Sequence, residues 1–208
     1  MSLLTVQDLG KSFGGVKAVD GISFTLAPGE LLALIGPNGA GKSTTFNMVN
    51  GQLKADRGSI RLGGQELVGR RPRDIWRLGV GRTFQIAETF ESLTVVENVQ
   101  MALLAQDRLL YAMWRCAADH KRQQAIALLE QVGMAAQADR PCSELAYGDV
   151  KRVELAIAMA NEPKLLLMDE PTAGMAPQER NALMALTKQL VVERGMAVLE
   201  IRGGQIVE

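Results

Sequence analysis

At 208 residues and 47% hydrophobic content, the chain can bury the core of one well-packed domain rather than two. Its 23 basic and 23 acidic residues cancel, which removes the general electrostatic case for a nucleic-acid partner. No apolar run approaches the ~20 residues that span a bilayer, polar residues by Gln7 and Asp8 argue against a signal peptide, and Cys116 and Cys142 form no disulfide or metal pattern.

Residues 3–9 and 22–26 read as short strands around a turn at Gly14-Gly15. Phe13, just before those glycines, either packs on the core or offers an aromatic platform to an adenine base, a contact of about 1–3 kcal/mol. A Pro28-Gly29 turn leads into Leu31–Ile35, a short apolar run expected to be a buried strand. The next nine residues, Gly36-Pro37-Asn38-Gly39-Ala40-Gly41-Lys42-Ser43-Thr44, fit G-x-x-x-x-G-K-[ST], and Lys42 to Asn50 reads as a helix stopped by Gly51. In this Walker A motif glycines let backbone N–H groups approach phosphates, and the helix N-terminus adds partial positive charge. Lys42 is expected to reach the β- and γ-phosphates, with the Ser43 hydroxyl on Mg²⁺.

Farther on, residues 59–62 read as a strand between turns, and Arg71–Leu78 as a short basic helix with a solvated charged face. Gln85, in Gly81-Arg82-Thr83-Phe84-Gln85, is either a surface residue or an amide placed to touch Mg²⁺ and the attacking water. From Glu88 to Cys142 glycine nearly vanishes and Ile126, Leu129 and Val132 recur at helical spacing before a Gly133 cap, which marks a helical insertion. The nucleotide-binding core is then residues 1–87 and 143–208, with the helical subdomain over 88–142; His120 receives no role. Leu145-Ala146-Tyr147-Gly148-Asp149 opens a helix whose apolar face is Val150, Val153, Ile157 and Ala160, with Lys151, Arg152 and Glu154 expected off that face.

Lys164–Glu170 is the second strong signal. Its apolar run ends in two carboxylates, at the end of a strand where ligands bind in open α/β sheets. Asp169 suits Mg²⁺ coordination, directly or through water, and Glu170 suits a general base that polarises water. Pro177 begins a helix with Leu183, Leu186 and Leu190 inward and Gly195 at its end. Residues 196–199 read as a strand and 201–208 as a separate closing segment with a Gly203-Gly204 turn. No internal repeat is present, so one nucleotide site is encoded.

In this order, Phe13, Walker A, Gln85, the 145–149 segment and Leu165–Thr172 resemble the nucleotide-binding subunit of ABC transporters. The signature segment between the Walker motifs makes the resemblance specific. Arg82-Thr83-Phe84-Gln85, Leu93–Asn98, Tyr147-Gly148-Asp149 and Glu170–Pro177 look most like ATPases of branched-chain amino acid importers. The resemblance implies a P-loop α/β fold with a mixed sheet core, antiparallel N-terminal strands and the helical subdomain. It also implies ATP and Mg²⁺ as cofactors. Two subunits, identical or sister ATPases, would sandwich two ATP molecules, with Leu145, Ala146, Tyr147, Gly148 and Asp149 acting in trans. Two membrane permeases at the cytoplasmic face of the inner membrane, and indirectly a periplasmic binding protein, complete the implied assembly, in which residues 88–98 touch a permease. A lipid or polysaccharide exporter ATPase shares the layout but lacks the Arg-Thr-Phe-Gln and Tyr-Gly-Asp forms. A soluble ATPase of ribosomes or DNA is expected to carry a second cassette or a long insertion.

Three departures stand out. The family's switch histidine should follow residues 196–199, yet Leu199-Glu200 runs straight into Ile201-Arg202-Gly203, so about twenty residues of the family pattern are missing there. Loss of that histidine implies impaired hydrolysis with ATP binding kept, and a nucleotide-binding variant without turnover is a further reading. Ala146 stands where a serine is usual, and Ala176 where many relatives carry Asp.

Overall fold

The computed structural model describes residues 2–83, 89–106 and 121–203. In chain order the first half runs β1 (Leu4–Phe13), β2 (Val16–Leu26), β3 (Leu31–Gly36), α1 (Lys42–Val49), β4 (Arg57–Leu62), β5 (Gln65–Glu66), α2 (Pro72–Arg77) and β6 (Val80–Thr83). The second half runs α3 (Val95–Gln106), α4 (Arg122–Gln131), α5 (Tyr147–Met159), β7 (Leu165–Asp169), α6 (Pro177–Arg194) and β8 (Ala197–Gly203).

Two sheets result. The first is antiparallel in the order β2-β1-β4-β5, and the second is parallel in the order β3-β8-β7-β6. The β1–β2 hairpin extends both predicted strands to the Gly14-Gly15 turn, where both glycines have positive φ. Where β1 slips register against β4, Gly58 sits at φ +86° with the carbonyl oxygens of Gln7 and Asp8 2.5 Å from any added Cβ, so a side chain has no room.

Two apolar cores meet at the parallel sheet. In β7 and β8 the two-residue period sends neighbours to opposite faces. Leu165, Leu167, Ala197, Leu199 and Ile201 join Phe46, Met48 and the antiparallel sheet, while Leu166, Met168 and Val198 join the side chains of α3, α4, α5 and α6. The helical region expected from residue 88 onward thus supplies α3 and α4 to the second core. Met113, Trp114, Cys116 and His120 lie outside the described residues.

The Leu93–Asn98 run has a local structural explanation. Thr94 and Glu97 form a capping box at the start of α3: the Thr94 N–H and hydroxyl both donate to the Glu97 carboxylate at 2.8 Å, and these bonds hold its pKa below the ordinary value. The buried Asn98 amide donates to the carbonyls of Phe90 and Thr94 and accepts from the Phe90 N–H at 2.8 Å, tying down the loop before the helix. It also donates to the Cys142 sulfur, whose thiol pKa is raised by burial.

The structure corrects three expectations. β3 is not a buried strand: among the described residues it is the edge of its sheet, and Ile35 is 61% exposed. The segments expected as 196–199 and 201–208 are joined, because β8 continues without a break in register from Leu199 through Glu200 and Ile201 to Gly203, between β3 and β7. Lys151 and Glu154 do not lie off the buried face of α5. They form an ion pair at 2.9 Å with side chains only 3% and 6% exposed, while Val150 and Ile157 are half-buried. Three residues apart on a helix, the two charges can neutralise each other in one buried spot.

Candidate functional site: a phosphate loop facing a strand-end carboxylate

Walker A and the Asp169-Glu170 pair lie at the same end of the parallel sheet. Leu34 of β3, Ile201 of β8 and Asp169 of β7 lie side by side in register. The phosphate loop leaving β3 is therefore two strand spacings, about 10 Å, from the acidic end of β7. This is the carboxyl end of parallel strands, where α/β sheets bind ligands.

The loop itself fits a phosphate chain. Gly41 is the N-cap of α1 at φ 79°, no side chain caps that terminus, and the first turn contains no acidic residue. The helix end thus keeps its positive partial charge for an anion. Lys42 folds back on the loop, its ammonium donating to the carbonyls of Gly36 at 2.5 Å and Pro37 at 2.9 Å. Gly39 also takes positive φ, whereas Pro37, Asn38 and Ala40 are exposed along the loop, with Thr44 half-buried behind Ser43. A Cβ on Gly41 would lie 2.3 Å from the Ala18 carbonyl and 3.0 Å from Val19. Gly41→Ala is expected to destabilise the chain by about 1–3 kcal/mol and to weaken ATP binding, measured by denaturant unfolding and by titration with a fluorescent ATP analogue.

That contact also locates Phe13. Ala18 and Val19 of β2 wall the phosphate loop, and Phe13 pairs with Val16 a few residues along the same hairpin. The ring is half exposed, with the Lys11 ammonium 5.5 Å from its centroid. The exposure argues against the core position.

Asp169 is held by a residue that reading the sequence used only as a family marker. The Arg82 guanidinium lies 3.5 Å from the Asp169 carboxylate, and both side chains are mostly buried, at 13% and 15% exposure. Its Nη1 donates to Asn47 Oδ1 at 3.2 Å and Gln52 Oε1 at 2.6 Å, and the group sits 5.3 Å from the Phe46 ring centroid. Arg82 therefore joins β6, the end of β7 and the P-loop helix. Its position directly before Thr83-Phe84-Gln85 was the available signal, but its partners lie far from it along the chain.

Glu170 has φ 45°, a left-handed conformation uncommon outside glycine, and its N–H donates to the Ile201 carbonyl at 3.1 Å. Such backbone strain costs on the order of 1–3 kcal/mol and concentrates at functional positions. The side chain lines a cavity of about 430 Å³ with Thr172, Arg180, Lys188 and Glu200. Gln85 lies outside the described residues.

Ser43 and Asp169 are hard oxygen donors of the kind Mg²⁺ takes. Among the described residues no cluster of three or more His, Cys, Asp or Glu could cage a metal.

The 145–149 segment stands apart. Ala146 is the N-cap of α5, the Tyr147 ring is exposed below the Lys151 ammonium, and Gly148 is buried against the Glu179 carboxylate, which would lie 3.2 Å from an added Cβ. Its groove is lined by Ala146, Gly148, Asp149, Arg152, Met175 and Glu179, with no Walker A residue among them.

A family model described as ABC transporter matches residues 19–173, which covers both Walker motifs and the 145–149 segment. The chain belongs to the ABC transporter ATP-binding family. Its P-loop α/β architecture is that of an ABC ATPase, a nucleotide-binding enzyme domain. LivG of Escherichia coli K12, named a high-affinity branched-chain amino acid transport ATP-binding protein, is 39% identical over 206 residues, covering 96% of this chain and 81% of LivG. BraF of Pseudomonas aeruginosa, of the same description, is 37% identical over 209 residues with the same coverage. A crystal structure of the ADP conformation of an ATP-binding cassette of an ABC transporter matches with a TM-score of 0.89 at 31% identity, covering 99% of this chain and 82% of that one.

Proposed function

We propose that this ABC ATPase couples ATP binding and hydrolysis to import of branched-chain or similar hydrophobic amino acids through partner permeases. The observation that carries the substrate class is the 37–39% identity to LivG and BraF over 96% of the chain. In this reading Gly36–Thr44 cradle the phosphates, Phe13 stacks on adenine, and Ser43, Asp169 and Gln85 hold Mg²⁺, which supplies charge neutralisation at the phosphates. Glu170 takes a proton from the attacking water. Ala146, Gly148 and Asp149 line a groove that no residue of their own P-loop enters, which supports Leu145–Asp149 binding the ATP of a second subunit, identical or sister. Residues 1–87 and 143–208 act as the nucleotide-binding core and 88–142 as the helical subdomain.

No helix among the described residues is long and apolar enough to cross a membrane. We place the subunit at the cytoplasmic face of the inner membrane, against two permeases and, through them, a periplasmic binding protein. Phe90, 57% exposed on the loop braced by Asn98, supports a permease contact in the 88–98 region.

His120 is the one histidine in the chain, and β8 runs through the point where the family's switch histidine follows. Hydrolysis in this reading proceeds without that contact and is slow. The test is reconstitution with the partner permeases in proteoliposomes. Leucine-loaded binding protein should stimulate ATP turnover and leucine uptake together. Failure of the purified chain to bind Mg-ATP at millimolar concentration would sink the nucleotide reading. Stimulation by lipid substrate instead of leucine would move the assignment to export.

A further inference from the structure

We propose that Arg82 is a positioning residue that competes with the divalent cation for Asp169. The inference rests on the reading of Asp169 as a cation ligand. A guanidinium 3.5 Å from a mostly buried carboxylate occupies the electrostatic position a cation needs. Arg82 is held there from the other side by Asn47 and Gln52, and Phe46 lies against its face. Asn47 and Phe46 belong to the P-loop helix itself. The carboxylate is thus prepaired with a fixed positive charge before nucleotide arrives. Cation binding must loosen that pairing, and the loosened guanidinium stays anchored to α1. Arg82 keeps Asp169 aimed, and it weakens the cation's hold by placing a like charge beside it.

The experiment measures the Kd of a fluorescent ATP analogue for the full chain with Mg²⁺ and again with EDTA, and takes the EDTA/Mg²⁺ ratio. Arg82→Gln removes the competing charge and should raise that ratio at least about threefold. Gln52→Glu, at an exposed position, gives the guanidinium a carboxylate 2.6 Å away to pair with and should raise the ratio in the same direction without altering the buried arginine. This second variant keeps the test intact if Arg82→Gln does not fold. Arg82→Lys, which retains the charge, should stay within about twofold of wild type. If Arg82 only pins the fold, both Kd values shift by one factor and the ratio does not move, which overturns the proposal. A wild-type ratio near one would instead show that the cation reading of Asp169 has failed.

Discussion

Glu170→Gln is expected to lower ATP turnover by about 10²–10⁴-fold while ATP binding stays within about twofold of wild type. The amide has nearly the shape of the carboxylate, so the left-handed backbone at φ 45° and the N–H bond to the Ile201 carbonyl should persist. What is lost is the proton acceptor. Single-turnover hydrolysis, read beside equilibrium binding, separates the two effects even where the parental rate is slow. Equal turnover in the two proteins would mean that Glu170 is not the base. Loss of binding and turnover together would mean that its role is structural.

The second large effect is on stability. Lys151→Ala should destabilise the chain by about 3–5 kcal/mol, because it removes from the buried Glu154 carboxylate the ammonium that lies 2.9 Å away. That is a large fraction of the ~5–15 kcal/mol that holds a domain of this kind together. The double variant Lys151→Met with Glu154→Leu should recover most of the loss, since apolar replacement of a whole buried pair is often neutral or stabilising. Urea unfolding of the single and double variants forms the check. A single variant that loses less than about 1 kcal/mol would show that water reaches the pair and that its surroundings screen it.

Much of the nucleotide end was legible in the sequence because it is encoded by contiguous residues. Gly36–Thr44 carry their own spacing, and Leu165–Glu170 announce a strand with a charged end. What was not legible depends on residues distant in the chain. An apolar run such as Leu31–Ile35 looks the same in a central or an edge strand, and only the order β3-β8-β7-β6 shows which it is. Lys151 and Glu154 read as solvated by type, yet each supplies the charge that lets the other be buried. Arg82 drew attention as a family marker, while its work lies in contacts to residues 47, 52 and 169. The Leu93–Asn98 run, read as a family marker, also carries a helix cap and a loop brace that the chain needs for its own fold.

The pairing of β3 with β8 has a consequence for how the protein comes into being. Leu31 finds its ladder partner in Val198, so among the described residues the strand that carries the phosphate loop gains its ladder hydrogen bonds only from a strand made near the end of synthesis. Closing a loop that long costs entropy before any contact repays it. The early hairpin can form while synthesis continues, but the phosphate loop stays tethered on one side until the distant strand slots between β3 and β7. Nucleotide, which needs that loop in place, can then act as a late clamp on the nascent molecule, favouring chains that have already completed the sheet.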